Sequence, residues 1–298
     1  MIDRRSFLAA SAAALAAGCS GNVSRPTAPE PARNVAPDRF EAIRASLGAG
    51  ARLGVAAIDT ADGSQLVHDP LGRYAMASTF KLPLAAAVLE AAEEGRLRLS
   101  DALPFEAGEP LPNSPAIIEN RAAGALSVEA LAAAIVRLSD NSAANLLLRR
   151  IGGPEALTRF ARAHGDPVTR LDRYEMELNS NLPGDPRDTT SPATMAALVR
   201  DLVLGNALSG NSRQRLVTWL TTSVPGADRL RAGLPQHWRF GHKTGTGANG
   251  AVNDVGIAWP PGRAPIVIAS YQDGGTAEMP ARAAAHAAVA RLVAETFA

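Results

Sequence analysis

A single cysteine, Cys19, stands near the N-terminus of the 298-residue chain, so no internal disulfide can cross-link the fold. The five histidines (His68, His164, His237, His242 and His286) are scattered, with no HExxH pair and no ligand cluster, so no zinc site is expected. No GxGxxG or GxxxxGKS/T motif sits between a strand and a helix, which removes nucleotide binding from consideration. Neither a metal nor a cofactor is called for. The formal net charge is +1, so nothing points to nucleic acid or to an acidic partner. Lysine is the scarcest charged residue: of 30 Lys plus Arg, only Lys81 and Lys243 are lysine. Arginine cannot release its proton in a protein and is a wide planar fork, whereas lysine is a compact cation whose pKa falls when it is buried. The two lysines therefore mark candidate sites that need a small cation or a free amine.

The remaining composition, 46% hydrophobic and 20% charged, is that of a globular chain with a large core or two lobes. Residues 1–19 read as an export signal: Arg4 and Arg5, followed by Ser6-Phe7-Leu8, precede a short apolar run, in the layout of a twin-arginine signal. The run is too short for a membrane span. "LAAGC" is similar to a lipoprotein cleavage box, in which Cys19 would carry the lipid, although Ala16 stands where Leu is usual. Ordinary signal-peptidase cleavage is the alternative. Membrane anchoring is expected only through that lipid. Residues 20–37 read as a Pro-rich disordered tether, and the folded part starts at Asp38.

Strand patterns cover 51–59 and 64–69, with a "TADG" turn between them, and again 238–246, 251–259 and 264–271. Helical patterns cover 38–48, 78–94, 127–137, 140–150, 153–164, 191–203, 211–221 and 278–297. Strands thus come from both ends of the chain. The expected fold is α/β of the α+β type: a mostly antiparallel five-stranded sheet flanked by helices (38–70 and 221–298), an all-helical lobe (71–220), and an active site in the cleft between.

Three short motifs use both lysines. In "ASTFKLP", Pro83 confines the start of a helix, so Ser78 sits at its N-terminus with Lys81 one turn on, pairing a nucleophile with an amine that can activate it. A helix cap is the ordinary reading of such a serine. "LSDN" places Ser139, Asp140 and Asn141 between two helices, where a cap is again the ordinary reading. "HKTGTG" places Lys243, Thr244 and Gly245 on a strand, with glycine where a ligand could approach the backbone.

In the order S-x-x-K, S-D-N, K-T-G, the chain resembles a class A serine β-lactamase over 38–298. The loop "LDRYEMELN" adds Glu175 and Asn179 at the positions of that family's catalytic Glu and water-positioning Asn. Arg173 and Asp188 match the ion pair that closes the loop. The resemblance implies that Ser78 attacks the lactam carbonyl, with the backbone N–H groups of Ser78 and Thr246 as the oxyanion hole. Lys81, or Glu175 through a water, is the acylation base. Ser139 passes a proton to the leaving nitrogen. Lys243 orients Ser139 and helps to hold the substrate carboxylate with Thr244 and Thr246, Arg229 stands near that carboxylate, and Gly245 belongs to the same substrate-binding strand. Asn141 binds the acylamino group, and Glu175 with Asn179 activates the deacylating water. The chain departs from the family pattern in four places. Asn113 replaces an aromatic wall residue, His242 stands where an acid is common, Ala77 and Gly247 stand where some carbapenem-hydrolysing relatives have a disulfide, and Met176 replaces a frequent Pro. The expected enzyme is an exported monomer that hydrolyses β-lactam antibiotics. A penicillin-binding D,D-peptidase or a β-lactam-binding sensor is the alternative, and Glu175 with Asn179 argues against both.

If Lys81 must exchange a proton, arginine cannot serve there. Lys81→Arg is expected to lower the hydrolysis rate nearly as much as Lys81→Ala, by about 10²–10⁴-fold. Steady-state hydrolysis of a chromogenic cephalosporin checks this, and a rate within a few-fold of wild type would rule the proton-transfer role out.

Overall fold

The computed structural model describes residues 37–297 apart from 106, 107 and 109. The expected export signal, with Arg4, Arg5 and Cys19, and the tether up to residue 36 lie outside the described residues. Helix α1 (Pro37–Ala45) precedes strands β1 (Arg52–Asp59) and β2 (Gln65–His68). Their connection is a side-chain-braced turn: the Asp59 carboxylate accepts the Ala61 N–H at 3.0 Å and the Asp62 carboxylate the Ser64 N–H at 2.8 Å. Strand β3 (Tyr74–Ala75) leads into a 3-10 turn (Ala77–Phe80) and helix α2 (Lys81–Glu93). Then come β4 (Ala102–Pro104), α3 (Pro115–Glu119), β5 (Ala125–Ser127), α4 (Val128–Arg137), α5 (Asn141–Ile151) and α6 (Pro154–Ala163). A second 3-10 turn (Glu177–Asn179), β6 (Thr189–Thr190), α7 (Pro192–Leu204), α8 (Gly210–Thr221) and α9 (Leu230–Gly233) follow. The chain closes with β7 (Arg239–Thr246), β8 (Val252–Trp259), β9 (Ile266–Asp273) and α10 (Met279–Phe297).

The main sheet has five antiparallel strands in the order β2-β1-β9-β8-β7, so strands from the two chain ends interleave and β7 is an edge. Side chains alternate across it. Ala56, Ile58, Val255, Ile257, Val267, Ala269 and Tyr271 face the helices inserted between β3 and β7, sharing a core with Phe80, Leu84, Val88, Ile135 and Leu147. Leu53, Val55, Ala57, Ile266 and Ile268 face α1 and α10, packing on Phe40, Val289 and Val293. Because both faces are covered, β1 and β9 read as nearly continuous apolar runs rather than alternating ones. Each fully buried Leu, Ile or Val contributes about 1.5–3 kcal/mol against the entropy of ordering the chain.

Helix starts follow their capping chemistry. Ser127 caps α4, Asp140 caps α5 and Ser191 caps α7, while proline opens α3, α6 and α7. The structure departs from the sequence-based expectation in several short elements, among them α3, α9 and the 3-10 turn at Glu177–Asn179, which were not expected. The helix expected from residue 78 begins as a 3-10 turn and becomes α-helical only at Lys81. Pro83 has no N–H to give residue 79, so the first turn lacks a regular α-helical bond. Two short ladders, β3 with β6 and β4 with β5, were not expected. Runs of two or three residues are too short to show a period, and they pair only because the fold brings them together.

The inner face of α10 carries His286, fully buried, with Nδ1 2.9 Å from Ser270 Oγ and Nε2 3.1 Å from the Val252 carbonyl. Burial lowers its pKa from 6.5 to about 4. The unfolded chain therefore takes up a proton near pH 6.5 that the folded chain refuses until about pH 4. Stability from this group is full above pH 6.5 and is lost as pH falls toward 4, by up to about 3 kcal/mol. Urea unfolding between pH 7 and pH 4.5 should show a steeper loss for wild type than for His286→Gln. Parallel pH slopes for the two proteins would refute the assignment.

Candidate active site

The turn at Ser78 is held from four sides. Met76 N–H donates to the Asp188 carbonyl at 2.9 Å, and the Met76 carbonyl accepts from Thr79 N (3.2 Å), Thr79 Oγ1 (2.8 Å) and Asn253 Nδ2 (3.0 Å). Asn253 Nδ2 also reaches the Ala75 carbonyl at 2.9 Å. These bonds hold Ala77 at φ +43°, a left-handed conformation that a non-glycine residue adopts only under constraint. Ser78 emerges half-buried from this turn, while Phe80, Leu82 and Leu84 anchor the helix behind it. Strand β7 passes close by at Gly245. A Cβ there would lie 2.7 Å from the Met76 carbonyl oxygen and 3.2 Å from Ser78 N, so only glycine lets the strand approach the nucleophile turn. Thr246, the next residue, is thereby brought beside Ser78.

Lys81 is completely buried. Its Nζ donates to Ser78 Oγ at 2.9 Å, to the Ser139 carbonyl at 2.9 Å and to Asn141 Oδ1. It also lies 2.9 Å from Glu175 Oε1. That last contact is a buried ion pair, with the Lys81 ammonium facing Oε1. Burial holds the Lys81 amine below its ordinary value, opposed by the charges of Glu175 and Asp140. Ser139 has φ +61°, which turns its carbonyl toward Lys81. Asp140, between Ser139 and Asn141, is the helix cap: its carboxylate accepts from Ala143 N (2.8 Å), Ala116 N (2.9 Å) and Ile117 N (3.2 Å). The S-D-N motif thus contains both a cap and two site-facing residues.

Glu175 and Asn179 sit on the 171–188 loop. Asn179 Nδ2 donates to Glu175 Oε2 at 2.6 Å, and Asn179 Oδ1 is buried without a partner. Arg173 Nε meets Asp188 Oδ2 at 2.6 Å across the base of the loop, and Asp188 Oδ1 accepts the N–H groups of Asp172 (2.8 Å) and Arg173 (3.0 Å). On the sheet side, buried Lys243 donates to Ser139 Oγ at 3.0 Å. Burial pushes the Lys243 amine well below its ordinary value, and the Lys81 and Arg229 charges add to this. Arg229 donates to the Gly245 (2.9 Å) and Asn253 (2.8 Å) carbonyls and to Thr246 Oγ1 (2.8 Å). Thr244 is buried and Thr246 exposed at the open edge. A cavity of ≈ 410 Å³ opens beside them, lined by Met176, Asn179, Thr246 and Gly247 among others.

Asn113 is exposed, and its amide is spent on the Ser139 carbonyl at 2.9 Å, so it braces the S-D-N turn as well as standing at the rim. Three residues that the sequence reading passed over complete the frame. Asn145 clamps the Glu175 backbone in both directions, donating to its carbonyl and accepting its N–H, each at 2.9 Å. Its position four residues after Asn141 on α5 puts it on the same helix face, a signal that was available. Asn253 and Asp254 on β8 had no comparable signal. Among the described residues no group of His, Cys, Asp and Glu could hold a metal ion. What the arrangement can do is acyl transfer. A serine hydroxyl contacts an amine of lowered basicity, with a carboxylate and an amide at hand to direct a water.

Comparison with known proteins agrees with this chemistry. The model of the β-lactamase enzyme family matches residues 38–297. β-Lactamase CTX-M-8 of Citrobacter amalonaticus is 43% identical over 248 residues, 83% of this chain and 85% of that protein. β-Lactamase AST-1 of Nocardia asteroides is 44% identical over 273 residues, 90% of this chain and 87% of that protein. Among solved structures, an ancestral (GNCA) class A β-lactamase is similar with a TM-score of 0.83 and 50% identity, covering 86% of this chain and 97% of its own. A putative class A β-lactamase, PenP of Rhodopseudomonas palustris, gives 0.83 and 43%, covering 87% and 100%. A match over nearly all of the folded chain, at identities above 40% to relatives covered over at least 85% of their length, shows that the chain belongs to the β-lactamase enzyme family, as a class A serine β-lactamase.

Proposed function

We propose that this enzyme opens the β-lactam ring through an acyl-enzyme on Ser78 and that water directed by Glu175 and Asn179 resolves it. The observation that carries this reading is the Lys81 amine, 2.9 Å from both Ser78 Oγ and the Glu175 carboxylate, with the buried, unpartnered Asn179 Oδ1 beside that carboxylate. A water bound at Asn179 Oδ1 would satisfy that atom and stand within reach of Glu175. In acylation the Ser78 hydroxyl proton passes to the neutral Lys81 amine, whose own extra proton can rest on Glu175. The Oγ–C bond forms while the N–H groups of Ser78 and Thr246 hold the oxyanion. The C–N bond then breaks, and Ser139, linked to both lysines, delivers a proton to the lactam nitrogen. Lys243, Thr244, Thr246 and Arg229 hold the substrate carboxylate, and Asn141 binds the acylamino group. Once Ser139 has regained its proton from Lys81, the proton that rested on Glu175 returns to that amine. In deacylation the Glu175 carboxylate takes a proton from the water as it attacks, the ester Oγ–C bond breaks, and Ser78 Oγ takes a proton from the Lys81 ammonium, which restores the starting state. Arg173 and Asp188 keep the loop closed so that Glu175 stays in reach.

Residues 1–19 serve in this proposal as an export signal, with Cys19 as the lipid-bearing residue and the mature enzyme a monomer. No helix among the described residues is long and apolar enough to cross a membrane. Replacing Arg4 and Arg5 by lysine should leave precursor in the cytoplasm if export takes the twin-arginine route. Normal export of that double variant would point to the general secretory route. Labelled fatty acid should attach to wild type and not to Cys19→Ser, and equal or absent labelling of the two would remove the lipoprotein reading.

Glu175→Ala tests the division of labour. Removing the carboxylate also removes a charge that favours the Lys81 ammonium, so the amine can still take the Ser78 proton while the water loses its base. The variant should give a stoichiometric burst and then turn over about 10²–10⁴-fold more slowly than wild type. Mass spectrometry with a penicillin should find the intact ligand mass on the peptide containing Ser78, and none in Ser78→Ala. Near-normal turnover by Glu175→Ala would end this reading.

A further inference from the structure

Beneath the cations proposed to hold the substrate carboxylate lies a histidine–aspartate pair to which that reading gives no part. Asp254 on β8 is fully buried. One carboxylate oxygen accepts from His242 Nδ1 at 2.8 Å and the other from the Leu230 N–H at 3.1 Å. The Leu230 N–H is a fixed donor, and an ionised carboxylate can only accept, so beside an ionised Asp254 the His242 proton sits on Nδ1. His242 is itself buried, with its ring 5.0 Å from that of Phe240. It directly precedes Lys243. Leu230 directly follows Arg229, so the two ends of the Asp254 bridge are the immediate neighbours of the two cations.

The turn that carries Arg229 is pressed on the same spot. Gly226 has φ +90°, and a Cβ there would lie 2.3 Å from Thr244 Cγ2 and 3.4 Å from His242 Cε1. The turn therefore rests on the His242 and Thr244 side chains, with Asp254 tying it down. Asp254 also supplies negative charge. Burial, with the Lys81 and Arg229 charges, works against the Lys243 ammonium, and Asp254 is the first group to act the other way. For Arg229, burial is likewise opposed first by Asp254.

We infer that His242 and Asp254 are the positioning pair of the carboxylate-binding face: the imidazole orients Asp254, and Asp254 holds the 226–230 turn so that Arg229 meets Thr246 at the open edge of β7. Without the Nδ1–H donor, Asp254 loses one of its two buried hydrogen bonds and the turn loses its register against the sheet. The pair touches no substrate. It acts through Arg229 and Lys243.

The inference rests on the proposed carboxylate face, so Arg229→Ala is the reference variant. The measurement compares kcat and KM for a cephalosporin bearing its free ring carboxylate with those for the methyl ester of the same compound. His242→Leu should raise KM for the free acid about tenfold, with kcat changed less than about threefold, and leave the ester unaffected. His242→Asn keeps an N–H donor near the Nδ1 position and should recover KM to within about threefold of wild type. Equal losses on acid and ester would mean a merely structural role and overturn the inference. Wild-type behaviour of His242→Leu, beside an acid-selective rise in Arg229→Ala, would also overturn it and leave the carboxylate reading standing. No acid-selective change in Arg229→Ala would remove the carboxylate reading and this inference with it.

Discussion

The structure depends on a lysine amine kept entirely out of water. Taking an ammonium from water costs several kcal/mol even after relaxation, and Lys81 has no exposed surface. The cost is met by acceptors from three separate segments: Ser78 from the turn before α2, Ser139 and Asn141 from the junction of the preceding loop with the first turn of α5, and Glu175 from the 171–188 loop. None of these segments would hold its shape alone. Each is braced in turn, by Asn253 behind Ser78, by Asp140 and Asn113 around Ser139, and by Asn145 and the Arg173–Asp188 pair around Glu175. Removing one partner from a buried ion pair typically costs about 3–5 kcal/mol. The site is thus coupled to the stability of the whole helical side.

That coupling is written into the backbone. Ala77, Asn113, Ser139 and Asp188 all adopt positive φ without being glycine, and all four lie in or beside the site. Each such residue costs on the order of 1–3 kcal/mol and persists only where its surroundings over-determine it. At Ser139 the strain aims a carbonyl at Lys81, and at Ala77 it delivers Ser78 to the mouth of the cleft. The core on both faces of the sheet absorbs these costs.

The second buried lysine joins the sheet to the helical side. Lys243 and Lys81 share Ser139 between them, so a proton arriving at that hydroxyl has two amines of lowered basicity on either side. Edge strand β7 is suited to this work. One side of it pairs with β8, and Gly245 lets it approach the nucleophile turn more closely than any residue with a Cβ would allow. The open edge is where a substrate can lie along it.

Much of this was legible before any coordinates. The apolar runs of β1, β8 and β9, the helical periods and the proline and serine caps are local signals, and they place the elements and the antiparallel sheet assembled from both chain ends. The scarcity of lysine singled out Lys81 and Lys243. The Ser78–Lys81 spacing brought the two together because one helical turn is a local geometry. The cap role of Asp140 was equally local. The short ladders β3–β6 and β4–β5, the Asn145 clamp on Glu175 and the Asn253 and Asp254 supports were not legible, or not weighed. A two-residue strand has no period, and a buried Asn or Asp on a strand looks like any polar residue in an edge pattern. Sequence alone determined which residue types could do acyl transfer and roughly where each sits on its element. Only the tertiary structure decided that Ser139 meets Lys81 across 58 positions and Lys243 across 104. Contacts at that separation are set by how the helical insertion packs on the sheet, and no local energy term in the chain encodes them.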